Sequence, residues 1–154
     1  MSQMAWQFVA FESLSAAELY EVLQLRSAVF VVEQTCVFQD MDGADAEAMH
    51  LLGRQGVTPD TPLVAYARCF QAGVKYREAS IGRVVTHASA RGQGAGHVLM
   101  RQAISSVHSQ WGVQPIRIGA QARLESFYRQ HGFVPDGEPY IEDGIPHIEM
   151  LRAV

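Results

Sequence analysis

The sequence predicts a mixed α/β fold with a largely antiparallel sheet, and three observations carry that prediction. Segments with strand-like alternation or β-branched content interleave with segments of helical spacing along the chain. The connections between them are rich in Gly, Pro and Asp, as turns between neighbouring antiparallel strands require. The 154 residues are 48% hydrophobic and 18% charged, the balance of a globular chain with a true core. At this length folding removes roughly 68–70% of the unfolded surface from water, so no disulfide or metal staple is needed. No repeat or long linker divides residues 1–154, and one domain is expected.

Trp6 to Phe11 partly alternates apolar and polar residues, the mark of a half-buried first strand. Ser15-Ala16-Ala17-Glu18 forms a capping box, and Leu19, Val22, Leu23, Leu25, Val29 and Phe30 follow at helical spacing, so a helix is expected to about Phe30. Residues 31–45 hold Glu33, Gln34, Asp40, Asp42, Gly43 and Asp45 without a clean period: an acidic connector, loop or short helix. Met49 to Leu52 and Leu63 to Phe70 read as the second and third strands, joined by the turn-forming stretch Gly53 to Asp60. Ala79 to Thr86 is β-branched and apolar, a buried central strand that the chain leaves over His87 to Ala90. On it Arg83 alternates with Ile81 and Val85, and a charge on that face calls for an ion pair or a substrate contact. Arg91 to Gly96 opens a second helix whose apolar face is Ala95, Val98, Leu99, Ala103, Val107 and Trp111. Gln114 to Gly119 supplies a short strand, and Ala122 to Tyr128 a third helix stopped by Gly132. Asp143-Gly144 marks the turn between residues 139–141 and the last strand, His147 to Leu151.

Composition then removes whole classes of function. The net charge is −4 with basic residues scattered, which speaks against nucleic acid or an anionic membrane as a partner. Eleven of the twelve cations are arginine, and Lys75 is the single lysine. It sits in Gly-Val-Lys-Tyr-Arg rather than a Gly-Lys-Ser/Thr loop, so P-loop phosphate chemistry is excluded. Cys36 and Cys69 form no Cys-x-x-Cys pair; neither a zinc knuckle nor a redox dithiol is encoded, and a reducing cytoplasm is the expected setting. Met1 to Phe11 lacks the basic and apolar regions of a secretion signal, and no apolar run is long enough to span a bilayer. No Gly-x-Ser-x-Gly elbow occurs, which argues against an acyl-enzyme hydrolase. His50, His87, His108 and His131 show no ligand spacing, and no metal site is expected.

The stretch from Arg91 to Gly96 carries the chemistry. Every second residue from Gly92 is glycine, and the loop joins a strand end to a helix start. Unpaired amides of a first helical turn and the positive end of its dipole favour an anion, and missing side chains let phosphate oxygens approach. Arg91 adds a charge, and His97 on the first turn is a further phosphate candidate. A dinucleotide fingerprint fails here, because the third glycine position counted from Gly92 is His97 and counted from Gly94 is Leu99. What stands is Arg-x-x-Gly-x-Gly after Val84-Val85-Thr86, and this resembles the acyl-CoA loop of the GNAT acyltransferase superfamily. The resemblance extends over Phe30 to Gln34, Ile81 to Val85, Gly119 to Ala122, Phe127-Tyr128 with Gly132-Phe133, and Glu142 to His147, in the manner of the ElaA-like branch.

That resemblance implies a splayed sheet of six to seven strands flanked by helices, with acetyl-CoA as co-substrate. It implies donor contacts from Val84, Val85 and Thr86 to the pantetheine arm, and from Arg91, Gly92, Gln93, Gly94, Ala95 and Gly96 to the pyrophosphate. Gln121 stands where many relatives have asparagine. Tyr128 matches the position that gives a proton or hydrogen bond to the departing thiolate. Glu33 is the candidate catalytic carboxylate, and Glu142, Asp143 and His147 surround the acceptor mouth. The implied reaction is direct acetyl transfer to an amine, small-molecule or protein-borne; the alternative is an acyl-CoA sensor or interaction module on the same fold. Glu33, Asp40, Asp42, Glu142 and Asp143 together would make an acidic mouth suited to a cationic amine. Exposed strand edges leave room for a homodimer.

Overall fold

The computed structural model describes residues 3–56, 58 and 60–154. Val57 and Pro59 of the expected turn, and Met1 and Ser2 of the N-terminal stretch, lie outside the described residues. Strand β1 (Met4–Ala10) leads through a 3-10 turn (Phe11–Ser13) into helix α1 (Ala16–Arg26). Strands β2 (Met49–Gln55), β3 (Leu63–Phe70) and β4 (Ala79–Thr86) follow, then helix α2 (Ala95–Trp111) and strand β5 (Ile116–Gln121). A 3-10 turn (Ala122–Leu124) leads into the short helix α3 (Glu125–Arg129), and β6 (Phe133–Pro135), β7 (Tyr140–Glu142) and β8 (Ile145–Arg152) complete the chain. Among the described residues no helix is long and apolar enough to cross a membrane.

The capping box at the start of α1 is formed: Ser15 Oγ accepts from the Glu18 amide and Glu18 Oε1 from the Ser15 amide. The helix does not stop at Phe30. After Arg26 it widens into a π-helix over Ser27–Glu33, closed by the Gln34 amide donating to the Val29 carbonyl five residues back. This carries Glu33 and Gln34, at its end, to Arg91 and Gln121.

The sheet has eight strands in the order β1-β2-β3-β4-β5-β8-β6, with β7 paired to β8. That is more than the six to seven the sequence suggested. The unread strand is β6, whose three residues are too few to show a period; it exists because Phe133 and Pro135 pair with Arg152 and Met150 of β8. All pairings are antiparallel except β4 with β5, which is parallel. Alternation sends one set of side chains to each face. Leu51, Ala67, Cys69 and Ile81 meet Leu99, Met100, Ala103 and Val107 of α2. Leu52, Tyr66 and Val85 meet Val22 and Leu25 of α1 and Val29 of the π-helix.

Ile81 and Val85 therefore face opposite sides, although an even separation in a regular strand would place them together. The sequence expectation that Arg83 alternates with both on one face is corrected here. Arg83 has φ 48°, and the β3–β4 register shifts between Tyr66 and Arg68. A bulge at this point reverses the facing of everything after it. Arg83 is left pointing to the acidic connector, its Nε 2.7 Å from Asp40 Oδ1.

The acidic connector is not a solvated charge run. Arg26 is fully buried, its Nε 2.8 Å from Asp40 Oδ2 and its Nη1 2.7 Å from Asp45 Oδ1. Arg68, 1% exposed, bridges the same Asp45 at 3.0 Å to Asp42 at 2.5 Å. His50 Nε2 donates to the Asp45 carbonyl at 2.8 Å, which leaves Nδ1 to accept from the Tyr66 hydroxyl at 2.6 Å. Asp40 and Asp42 are thus paired with Arg26, Arg68 and Arg83 rather than free carboxylates of the expected five-carboxylate mouth, although Asp42 still lines a cavity there. Burial opposes ionisation of Asp45, yet Arg26 and Arg68 hold its carboxyl below the usual range; the Arg68 hydrogen bond does the same to Asp42.

Removing one member of this network strands buried charge. Arg26→Met is expected to lower unfolding stability by about 3–5 kcal/mol, read as a drop in urea midpoint at constant slope. Because Asp42 and Asp45 ionise more readily folded than unfolded, their stabilisation is present above the unfolded value near ~3.9 and is lost as pH falls through the lower folded values. Acid titration of Asp42→Asn at constant temperature should show a shallower loss in that window; an unchanged slope would remove Asp42 from this role.

Candidate active site

The parallel pairing of β4 and β5 is brief. Ala79 faces Ile116 and Ser80 faces Arg117, and no further pair forms. Beyond these, β4 stays with β3 as far as Thr86, while β5 stays with β8 as far as Gln121. The strands part into a V, and the backbone groups of β4 that point toward β5 lose their ladder partners. Ile81 to Thr86 form one wall of a cleft of about 540 Å3, Ile118, Gly119 and Gln121 the other; the π-helix, α3 and the β7–β8 hairpin close its ends.

This one cleft collects Glu33, Val84, Val85, Thr86, Arg91, Gln121, Tyr128, Glu142, Asp143 and His147, which are spread over the chain from residue 33 to residue 147. Gly92, Gln93, Gly94, Ala95 and Gly96 are not among its walls; they adjoin it through Arg91. Gly92 has φ 85° and Gly94, the N-cap of α2, φ 77°, a backbone that disfavours other residues, and added Cβ atoms there would meet open space. An incoming ligand can therefore reach this loop. Gly96 is glycine for a different reason: a Cβ would lie 3.4 Å from the Phe127 ring, so it serves the packing of α3 on α2.

Tyr128 projects from α3 between two rings, Phe127 at 5.1 Å and Phe133 at 6.0 Å, both edge-on. Burial pushes its phenol up to about 12. No described residue hydrogen-bonds its hydroxyl, which lines the cleft as a protonated donor at neutral pH. Arg91 spans the mouth. Its Nη2 donates to the Thr86 carbonyl at 2.8 Å, and both Nη atoms reach the Glu33 carboxylate, Nη2 at 3.2 Å from Oε2. The Arg91 hydrogen bond holds the Glu33 carboxyl below its ordinary value. Gln121 meets Gln34, each side-chain amide donating to the other at 3.2 and 3.5 Å.

At the far end, Asp143 (φ 51°) and Gly144 (φ 76°) make a two-residue hairpin turn of the left-handed kind, and the Cys36 thiol donates to the Asp143 carbonyl at 3.2 Å. His147, 8% exposed, lies against Tyr140 with ring centroids 5.6 Å apart. Its Nδ1 is 2.7 Å from the Ile145 carbonyl, which can only accept. A proton on Nδ1 satisfies that contact, and Nε2 lies 3.7 Å from Glu142 Oε2.

The cleft continues into a second cavity of about 380 Å3 that shares Ile81, Gly82, Arg83, Gly119, Glu142 and Asp143. Phe70, Lys75, Tyr76 and Tyr140 extend it. Gly119 makes room for two hydroxyls at this junction, since a Cβ there would sit 2.9 Å from that of Tyr140 and 3.1 Å from that of Tyr76. Gln34, Cys36, Tyr76 and Tyr140 carried no assigned role in the sequence reading; none has a spacing signal, and only the fold brings them here. His97, the further phosphate candidate, pairs with His131, its Nδ1 2.9 Å from Nε2 of that ring, beside Gln93 and Gly94. Among the described residues no three His, Cys, Asp or Glu side chains converge as metal ligands.

Comparison with known proteins agrees with this fold. Residues 57–153 match the acetyltransferase (GNAT) domain family. The chain is 43% identical over 151 residues to protein ElaA of Escherichia coli (strain K12), covering 97% of this chain and 96% of that protein. The crystal structure of Escherichia coli ElaA superimposes with a TM-score of 0.86 at 42% identity, over 97% of this chain and 99% of that one. An acyl-CoA N-acyltransferase from Pseudomonas aeruginosa superimposes with a TM-score of 0.90 at 41% identity, over 98% of this chain and 100% of that one.

The His147 tautomer is open to direct measurement. Long-range proton–nitrogen correlation spectra of the neutral imidazole should show Nδ1 protonated and Nε2 bare; the opposite tautomer would leave Nε2 unable to accept a proton from the cleft.

Proposed function

This chain belongs to the GNAT acetyltransferase family, and from that premise we propose that it transfers an acetyl group from acetyl-CoA directly to an amine. The observation that carries the reading is the V between β4 and β5, in which an unpaired strand edge and a buried phenol line one cleft that a glycine-lined helix start adjoins through Arg91. The donor fits that arrangement. Val84, Val85 and Thr86 offer the free backbone groups of β4 to an extended amide-bearing arm, as an added strand would use them. Gly92 and Gly94 admit phosphate oxygens to the first-turn amides of α2, led by Ala95 and Gly96, with Gln93 and Arg91 alongside. Gln121 reaches the same cleft with its amide. Bound there, acetyl-CoA supplies an activated thioester carbonyl.

Tyr128 serves the sulfur. A phenol at about 12 is a weaker acid than a thiol near ~8.5, so its part is to hold a hydrogen bond on the developing thiolate more than to surrender its proton. The amine arrives protonated and must lose a proton before it attacks. His147 Nε2 is the acceptor in place, and Glu142, more than half exposed, leads the proton to solvent. Glu33 acts through Arg91: one guanidinium is shared between this carboxylate and the donor's phosphates. Glu142 and Asp143, with the arginine-paired Asp42, are the carboxylates at the acceptor side, which suits a cationic amine, small-molecule or protein-borne.

Tyr128→Phe is expected to bind acetyl-CoA as the wild type does while kcat falls about 100-fold, the low end of general-acid effects. Calorimetric titration with acetyl-CoA, with ADP as control ligand, should give selective binding that Arg91→Glu abolishes; a folded wild-type protein that binds nothing would sink the proposal. Glu33→Gln frees Arg91 from its exposed pair and should tighten acetyl-CoA binding by up to about fivefold, the worth of such a pair.

A further inference from the structure

Lys75, the single lysine of the chain, stands in the second cavity, on the side of the V away from Arg91. The loop that carries it is short and fixed: Gly73 (φ 92°) donates its amide to the Tyr76 carbonyl at 2.8 Å, and Tyr76 turns its hydroxyl to Gly119. The ammonium is the loosest cation of its neighbourhood. It lies 3.9 Å from Asp42 Oδ2, beyond hydrogen-bond reach, while Arg68 takes the same carboxylate at 2.5 Å. Its other contact is the Phe70 ring, 5.9 Å away and already under Arg68 at 5.2 Å. The other cations of this cluster are arginines, which stay charged and are no nucleophiles; the one amine is that of Lys75, in the lining of the second cavity.

We propose that Lys75 is an acetylation site which the protein modifies on its own chain. The inference rests on the acetyl-transfer reading above. Nζ, once it has given a proton to solvent at its 44%-exposed position, enters the passage shared by Ile81, Gly82, Arg83 and Gly119 and attacks the thioester carbonyl. The N–C bond forms as the C–S bond breaks, the second Nζ proton leaves to solvent, and the CoA thiolate departs with the Tyr128 hydroxyl on it and is protonated from solvent. The products are a neutral acetyl-lysine and CoA thiol. Asp42 keeps Arg68 and Arg83, so the fold is undisturbed, and the acceptor side of the cleft loses one positive charge.

The experiment incubates the full chain with acetyl-CoA and no added amine and follows it by intact mass and peptide mapping. One acetyl group is expected on Lys75, at least ~10-fold faster than on the urea-unfolded chain, with a rate per molecule independent of protein concentration. Lys75→Arg should gain none at this position, and Tyr128→Phe should slow the gain in wild-type background. Acetyl-CoA binding by calorimetry on the same sample separates the two readings. Binding with Lys75 unmodified, or modified only at the unfolded rate, overturns this proposal and leaves the transferase reading standing; absence of binding overturns both. A rate per molecule that rises with protein concentration replaces self-modification by transfer between copies and overturns the proposal as stated.

Discussion

The parting of β4 from β5 after Ser80 and Arg117 is the constraint on which the rest of this molecule depends, because it leaves backbone hydrogen-bonding groups without partners inside a folded sheet. Unsatisfied groups of that kind are costly where water is excluded, so the gap is held open by features that would otherwise be faults. Arg83 takes a left-handed backbone that a bulky residue disfavours, and the bulge bends β4 away. Gly119 gives up its side chain in mid-strand so that two tyrosine hydroxyls can close over β5 without filling the gap.

The strain at Arg83 is matched by the charged layer behind it. Arg26, Arg68 and Arg83 meet Asp40, Asp42 and Asp45 in one continuous network, and the acidic connector is thereby fastened across the end of β4. A buried ion pair is weak evidence for added stability, since desolvation offsets much of its attraction. Its geometric consequence is firmer. With the connector fixed from Asp40 to Asp45, the π-helix before it ends at a defined place and sets Glu33 and Gln34 opposite Arg91 and Gln121.

The cleft has two unlike ends. At one, Arg91 and the glycine-lined start of α2 adjoin, and Glu33 is paired to the guanidinium. At the other, Glu142 and Asp143 face a wall of aromatic rings and the single lysine. Tyr128 and His147 lie between, one a protonated hydroxyl, the other a ring whose Nδ1 meets the Ile145 carbonyl. In the proposed reading donor and acceptor are separated by the width of the V, and a direct transfer across it would need no covalent enzyme intermediate.

Local features were legible in the sequence because local physics sets them. The capping box at Ser15 and Glu18, the bounds of β3 and β4, the glycine entry to α2 and the Asp143-Gly144 turn depend on residues within a few positions of one another, and all appear as read. The candidate site was legible as a set of residues through its resemblance to a family, though not as a geometry. What only the tertiary structure decided are matters of long-range pairing. The three-residue β6 exists through β8; the facing of Val85 follows from a register shift against β3; Asp40 and Asp42 are counter-ions of buried arginines; Glu33 is spoken for by Arg91, 58 positions away. A carboxylate reads the same in sequence whether it faces water or a guanidinium, and a strand residue reads the same on either side of a bulge. Composition and period fix which elements form, while charge partners and register are settled only when distant elements are packed together.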